Sequence, residues 1–149
     1  MKYGILTVVT AALIAMPWAG RAESPDPDFS KAMAAASQKN LPILVMFTGS
    51  DWCGWCQKLE REILDKSEFK EYAEKSLVVF SADFPMKKAL PDATTKQNKK
   101  LAEQYSVEGF PTVVLLNKDG KEIGRTGYRA GGPEAYVKHL KELLSAAKI

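Results

Sequence analysis

Two cysteines occur in this 149-residue chain, three positions apart in Trp52-Cys53-Gly54-Trp55-Cys56. Their surroundings narrow the fold. Residues 43–47 are an unbroken apolar run, as expected of a strand buried on both faces. Thr48-Gly49-Ser50-Asp51 is turn chemistry. Over residues 55–65, Leu59, Ile63 and Leu64 recur at helical spacing, while Lys58, Glu60, Arg61 and Glu62 fill the other face. A strand that turns straight into a helix sets Cys53 at or just before the helix N-terminus. Unpaired backbone N–H groups and the positive end of the helix dipole favour a thiolate there. Cys56, one turn on, shares a face with Cys53 and can reach it to close a disulfide. Thiolate chemistry needs a lowered thiol pKa, and this placement is one way to obtain it.

The first 22 residues read as a secretory signal: Lys2, an apolar stretch over 5–16 too short to span a bilayer comfortably, the breakers Pro17 and Gly20, and small residues in Gly20-Arg21-Ala22. Cleavage is expected after Ala22, dividing the chain into a signal peptide (1–22) and one domain (23–149); an uncleaved membrane anchor is the rival reading. The whole chain carries 21 Lys and Arg against 18 Asp and Glu. Cleavage removes Lys2 and Arg21 and no acid, leaving 19 bases, 18 acids and a net charge of +1. So balanced a domain makes no electrostatic case for nucleic acid. Export would place the cysteines in an oxidising compartment, where a pair is usually a structural bridge. Here the bridge would close a very small ring and constrain little chain. Short exposed disulfides tend to be the labile ones, so the pair reads as reactive.

Along the rest of the chain, Asp28 is an N-cap for a helix over 29–39, ended by Asn40 and Pro42. Ser67 can cap a further turn or two through Ala73. Residues 77–82 read as a second buried strand with Asp83 at its carboxyl end, and 84–94 as a loop. Thr94 or Thr95 can cap a helix to Tyr105. Residues 112–116 form a third strand, Asn117-Lys118-Asp119-Gly120 a hairpin turn, and 122–126 an antiparallel return. Gly132 and Pro133 open a last helix. Strand–helix–strand units favour parallel pairing, so the expected architecture is an α/β mixed central sheet with helices on both faces and one antiparallel edge strand. Ligands of such sheets sit at the carboxyl ends of the strands, where Cys53 lies.

Trp52-Cys53-Gly54-Trp55-Cys56 after one strand, Gly109-Phe110-Pro111-Thr112 before another, and a Lys-Asp-Gly-Lys hairpin before the last helix together resemble the thioredoxin superfamily. The resemblance runs over about residues 29–144. It is nearest to the exported single-domain members, of the kind found in DsbH-type periplasmic reductases and in the carboxyl-terminal domain of DsbD-like proteins. It implies a thioredoxin fold and a thiol–disulfide oxidoreductase, most naturally a periplasmic reductase of exported proteins. Cys53 would be the attacking thiolate, and Cys56 the more buried partner that resolves the mixed disulfide. Pro111 would be a cis-proline that exposes the Phe110 backbone for strand-like pairing with substrate. Trp52, Gly54 and Trp55 would form the rim that meets an extended partner, although Trp52 reads equally as core. Re-reduction would come from a membrane electron carrier of DsbD type.

The chain also departs from that pattern. The strand position where thioredoxins often keep a buried acid is Met46, and the matching lysine position falls in Val78-Val79-Phe80. Asp83 is the alternative proton acceptor, against the plainer reading of a solvated strand-end acid. An oxidase or isomerase running the same exchange the other way remains open. So does a non-enzymatic holder of metal or apocytochrome. Against a metal, the ligand candidates are two cysteines and one histidine, His139, where zinc wants about four ligands. Against haem attachment, Gln57 follows the second cysteine where a histidine is required. No cofactor is implied, and with no dimerisation segment evident the expectation is a monomer.

Overall fold

A computed structural model of the protein describes residues 27–147; the expected signal peptide lies outside them. Helix α1 (Phe29–Lys39) starts at Asp28, whose carboxylate accepts the Ser30 N–H, and stops at Asn40, which takes the left-handed conformation with φ 53°. Strand β1 (Ile43–Thr48) is buried at all six positions. Then follow α2 (Gly54–Leu59), which runs on into a π-helical turn (Glu60–Leu64), α3 (Ser67–Ser76), β2 (Val78–Asp83) and α4 (Asp92–Gln104). The strands β3 (Thr112–Leu116) and β4 (Glu122–Thr126) form the expected hairpin, with Gly120 at φ 82°, and α5 (Gly132–Ala146) closes the fold. No helix among the described residues is long and apolar enough to cross a membrane.

The sheet order is β2-β1-β3-β4. Strand side chains alternate between faces, and both faces of β1 are apolar, so each receives a helix layer. Ile43, Val45 and Phe47 pack with Phe80, Val114 and Leu116 beneath α1 and α4, against Ala32, Ala36, Leu101 and Tyr105. Leu44 and Met46 pack with Val113 and Leu115 on the opposite face, against Leu59, Ile63, Phe69, Tyr136 and Leu140 from α2, its π turn, α3 and α5. Met46 is thus an ordinary core residue under α2.

Several expectations need correction. The β2–α4–β3 connection is not a parallel crossover: β1 pairs with β2 in parallel but with β3 antiparallel, Phe47 lying opposite Thr112. Helix α4 returns the chain to the same end of the sheet at which β2 finished. That reversal sets the start of β3 beside the end of β1; a parallel β3 would carry Pro111 to the opposite end of the sheet. Helix α4 begins at Asp92 rather than at a threonine, because Pro91 already takes the N-cap position. Helix α3 is longer than expected, and Ser67 lies inside it, its hydroxyl donating to Glu68 while Lys66 stands at the N-cap.

Candidate functional site

The turn after β1 is tight. The N–H groups of Trp52 and Cys53 both donate to the Gly49 carbonyl, at 3.2 and 2.8 Å. Cys53 becomes the N-cap of α2, and its Sγ accepts the Cys56 N–H at 3.2 Å. The two cysteines are joined as a disulfide with Cα atoms 5.2 Å apart. Cys53 keeps 7% of its surface exposed and Cys56 none. Hydrogen bonding to a sulfur favours its charged form, so the amide aimed at Cys53 Sγ would stabilise a thiolate there once the bridge is opened.

Around the bridge stand the residues singled out from the sequence. Trp55 is 58% exposed and Trp52 43%, so both tryptophans stand at the surface and Trp52 is not core. Trp52 is nonetheless held: its Nε1–H donates to the Phe84 carbonyl at 2.8 Å, and its ring meets Phe110 edge-on at 5.9 Å. A Cβ on Gly49 would fall 2.4 Å from the Trp52 ring, which is why the turn has no side chain there. Phe110 is half-buried and stacks on Phe84 at 5.1 Å. The Phe110–Pro111 bond is cis, as the resemblance implied. Gly54 is exposed with open space around its Cα, so packing does not require glycine there.

Four further residues shape the site. Because β4 pairs with β3, Thr126 lies opposite Val113 and the chain beyond it passes beside Pro111. A Cβ on Gly127 would come 3.1 Å from the Pro111 carbonyl. Tyr128 tilts against Trp55 at 5.4 Å and donates to Glu62 at 2.7 Å, with Lys58 Nζ 5.0 Å from both ring centroids. Asp83 does not stand free in solvent. Its carboxylate accepts the Ser50 N–H and hydroxyl at 2.9 and 2.7 Å and pairs with Lys88 at 3.1 Å, bracing the turn before the cysteines. Asp51 accepts the backbone N–H groups of Met86, Lys87 and Lys88 at 2.9, 2.8 and 3.2 Å, which hold its carboxyl below the usual range.

The acid that stands out is Glu60. Its N–H bonds to the Cys56 carbonyl, one helical turn back, and residues four apart share a helix face. Burial raises its carboxyl, and Asp65 and Asp83 add to the rise, with Lys88 opposing. His139 is remote in role: its Nε2 meets the Thr126 hydroxyl at 3.0 Å, and burial lowers its pKa. Among the described residues, no three His, Cys, Asp or Glu side chains gather as a metal-binding group.

A Cys-Xaa-Xaa-Cys bridge opening a helix beside a cis-proline loop is the arrangement that decides the family, and the profile of the thioredoxin-like domain matches residues 29–144. The chain belongs to the thioredoxin-like family. The chain is 40% identical over 116 residues to the "Disulfide bond reductase DsbH" of Chlamydia pneumoniae, covering 78% of this chain and 70% of that one. A solved structure titled "DsbH Oxidoreductase" superposes with a TM-score of 0.79 at 36% identity, covering 93% of this chain and 95% of that one. The oxidised carboxyl-terminal domain of Neisseria meningitidis DsbD shares the fold at 18% identity and a TM-score of 0.51, covering 76% and 90%. This thioredoxin-like chain therefore matches in fold both kinds of protein that its sequence resembles.

Proposed function

We propose that this thiol–disulfide oxidoreductase works as a reductase of disulfides in exported proteins. The observation that carries the reading is the cysteine pair itself: Cys53 at the surface edge as N-cap of α2, Cys56 fully buried behind it, in a chain similar to a disulfide bond reductase over most of both lengths. In the reduced protein the Cys53 thiolate attacks one sulfur of the partner's disulfide. A mixed disulfide forms, and the partner's other sulfur leaves as a thiolate and takes up a proton. Cys56 then loses its proton and attacks Cys53 Sγ; the mixed disulfide breaks, the second partner sulfur leaves, and two electrons have passed to the partner. The partner would lie as an extended segment against the Phe110 backbone and Pro111, with Trp52, Gly54 and Trp55 as its rim.

Met46 leaves no acid in the strand beneath Cys56, and Asp83 is committed to Ser50 and Lys88. Glu60, on the Cys56 face of α2 with a raised carboxyl, is the group we assign to receive the Cys56 proton. Export with cleavage after Ala22, a periplasmic location, a monomeric state and re-reduction by a membrane carrier of DsbD type complete the proposal.

The test is equilibration with glutathione followed by insulin reduction. A reductase comes to rest at a potential near that of thioredoxin, about −270 mV, and a value near about −120 mV would make it an oxidase. Cys53→Ser abolishes exchange, and Cys56→Ser accumulates mixed disulfides; a holder protein would keep its partner in the Cys53→Ser form.

A further inference from the structure

Three large apolar side chains are exposed among the described residues: Trp52, Trp55 and Met86. The tryptophans flank Cys53. Met86, at 76% the most open of the three, comes from the loop after β2, yet it is tied to the same turn. Asp51, two residues before Cys53, binds the N–H groups of Met86 and the two residues after it. Trp52 binds the Phe84 carbonyl at the other end of the same loop, and the Phe84 N–H in turn donates to the Thr48 carbonyl at 2.8 Å. The loop is thus fixed at both ends to the segment that carries the cysteines, while its apolar side chain points away from the protein. An exposed methionine on a fixed backbone gives the fold nothing, and exposed apolar patches mark contact surfaces. Methionine is flexible and polarisable, and suits contact with partners of varied sequence. A loop already ordered adds little entropy cost on binding.

We propose that the 84–88 loop is the far wall of the polypeptide-binding surface, that Met86 touches the partner there, and that Asp51 is the positioning residue that holds the wall in place. The occupant is an extended polypeptide with an apolar residue close to its disulfide cysteine. The loop is joined to the rim through the backbone: Trp52 holds its Phe84 end and Asp51 its Met86–Lys88 end, while Trp55 and Tyr128 stack together across the cysteine turn. The proposal rests on the reading that Cys53 attacks disulfides of proteins, but not on the direction of exchange in the cell.

The experiment compares two rates of mixed-disulfide formation in a Cys56→Ser background, one with a disulfide-linked peptide of apolar neighbours and one with glutathione disulfide. Met86→Ser lowers the peptide-to-glutathione ratio at least fivefold. Asp51→Ala does the same, and the two changes together lower it less than twofold beyond either alone, because both act through one contact. An unchanged ratio in Met86→Ser overturns the proposal. So does a parallel fall of both rates in Asp51→Ala, which would mean that Asp51 serves the sulfurs themselves. If Asp51→Ala fails to fold, Met86→Ser decides alone. Should the Cys56→Ser protein join neither disulfide, the reading of Cys53 as the attacking sulfur falls first and this proposal with it.

Discussion

Glu60 shows how one side chain can serve the chemistry and cost stability. Its carboxyl is raised by burial first, then by Asp65 and Asp83, so the folded protein binds that proton more readily than the unfolded chain. Stability from this group is therefore full below the ordinary glutamate range and is lost as pH rises through the raised value. Glu60→Gln carries no charge to desolvate. It is expected to melt above the parent at pH 7, with the gap closing by about pH 3, below the ordinary glutamate range, where Glu60 is protonated in both states. Thermal melts at the two pH values check this; an equal gap at both would mean that charge is not the cause. The same variant should slow the release of a trapped partner by Cys56 at neutral pH, where the lost carboxylate matters. At this scale the sequence was legible where chemistry is local. Cys53, Cys56 and Pro111 lie within short motifs, and Asp28 caps the helix it precedes. Asp51 and Asp83 were opaque, because the backbone N–H groups they bind lie more than thirty residues away and no spacing rule links them. Glu60 was visible only as one more charge on a helix face until Met46 and Asp83 were seen to be committed elsewhere.

Among the elements, the strands were readable from apolar runs, since a two-faced apolar strand must be central. The direction of β3 was not. Nothing in residues 112–116 says which way they run, and the strand–helix–strand pattern argues for the parallel pairing that the sheet does not adopt. Tyr128 was hidden for the same reason, since its place beside Trp55 follows from β4 returning along β3. Holding this arrangement is Arg125 of β4. Its guanidinium donates to the carbonyls of Tyr105 and Ser106 at the C-terminal end of α4 and pairs with Glu122 at 2.9 Å. A cation suits the carbonyl end of a helix, and the planar fork serves carbonyls and carboxylate together where an ammonium cannot. These bonds fix the beginning of the loop that ends at Pro111. Arg125→Lys is expected to cost about 1 kcal/mol, discounted for its exposure. It should also slow reduction of insulin more than that of glutathione disulfide. Denaturant unfolding with the paired rate measurement tests this; a stability loss with both rates falling equally would confine Arg125 to the scaffold.

For the molecule as a whole, the direction of exchange is a statement about which redox state folds better. The two apolar layers enclose β1 without help from the cysteines, since Phe47, Phe80, Tyr136 and Leu140 are all at most 1% exposed. The reduced protein should therefore remain folded. Closing the bridge adds a constraint on the unfolded chain, and for a ring as small as Cys53 to Cys56 the loop-entropy account gives about 2 kcal/mol, well short of what a long loop would add. Against it stands whatever the reduced state gains from a stabilised Cys53 thiolate, which the Cys56 N–H and the α2 dipole favour. A strong oxidant is one whose reduced form wins this balance. A reductase is one whose oxidised form wins. The expectation is that the oxidised protein melts a few degrees above the reduced one at pH 7. The gap should widen at lower pH, where the thiolate is lost. Paired melts in the presence and absence of excess dithiothreitol decide the matter. A reduced form that melts higher would mean that the Cys53 thiolate outweighs the ring, and the protein would then oxidise its partners.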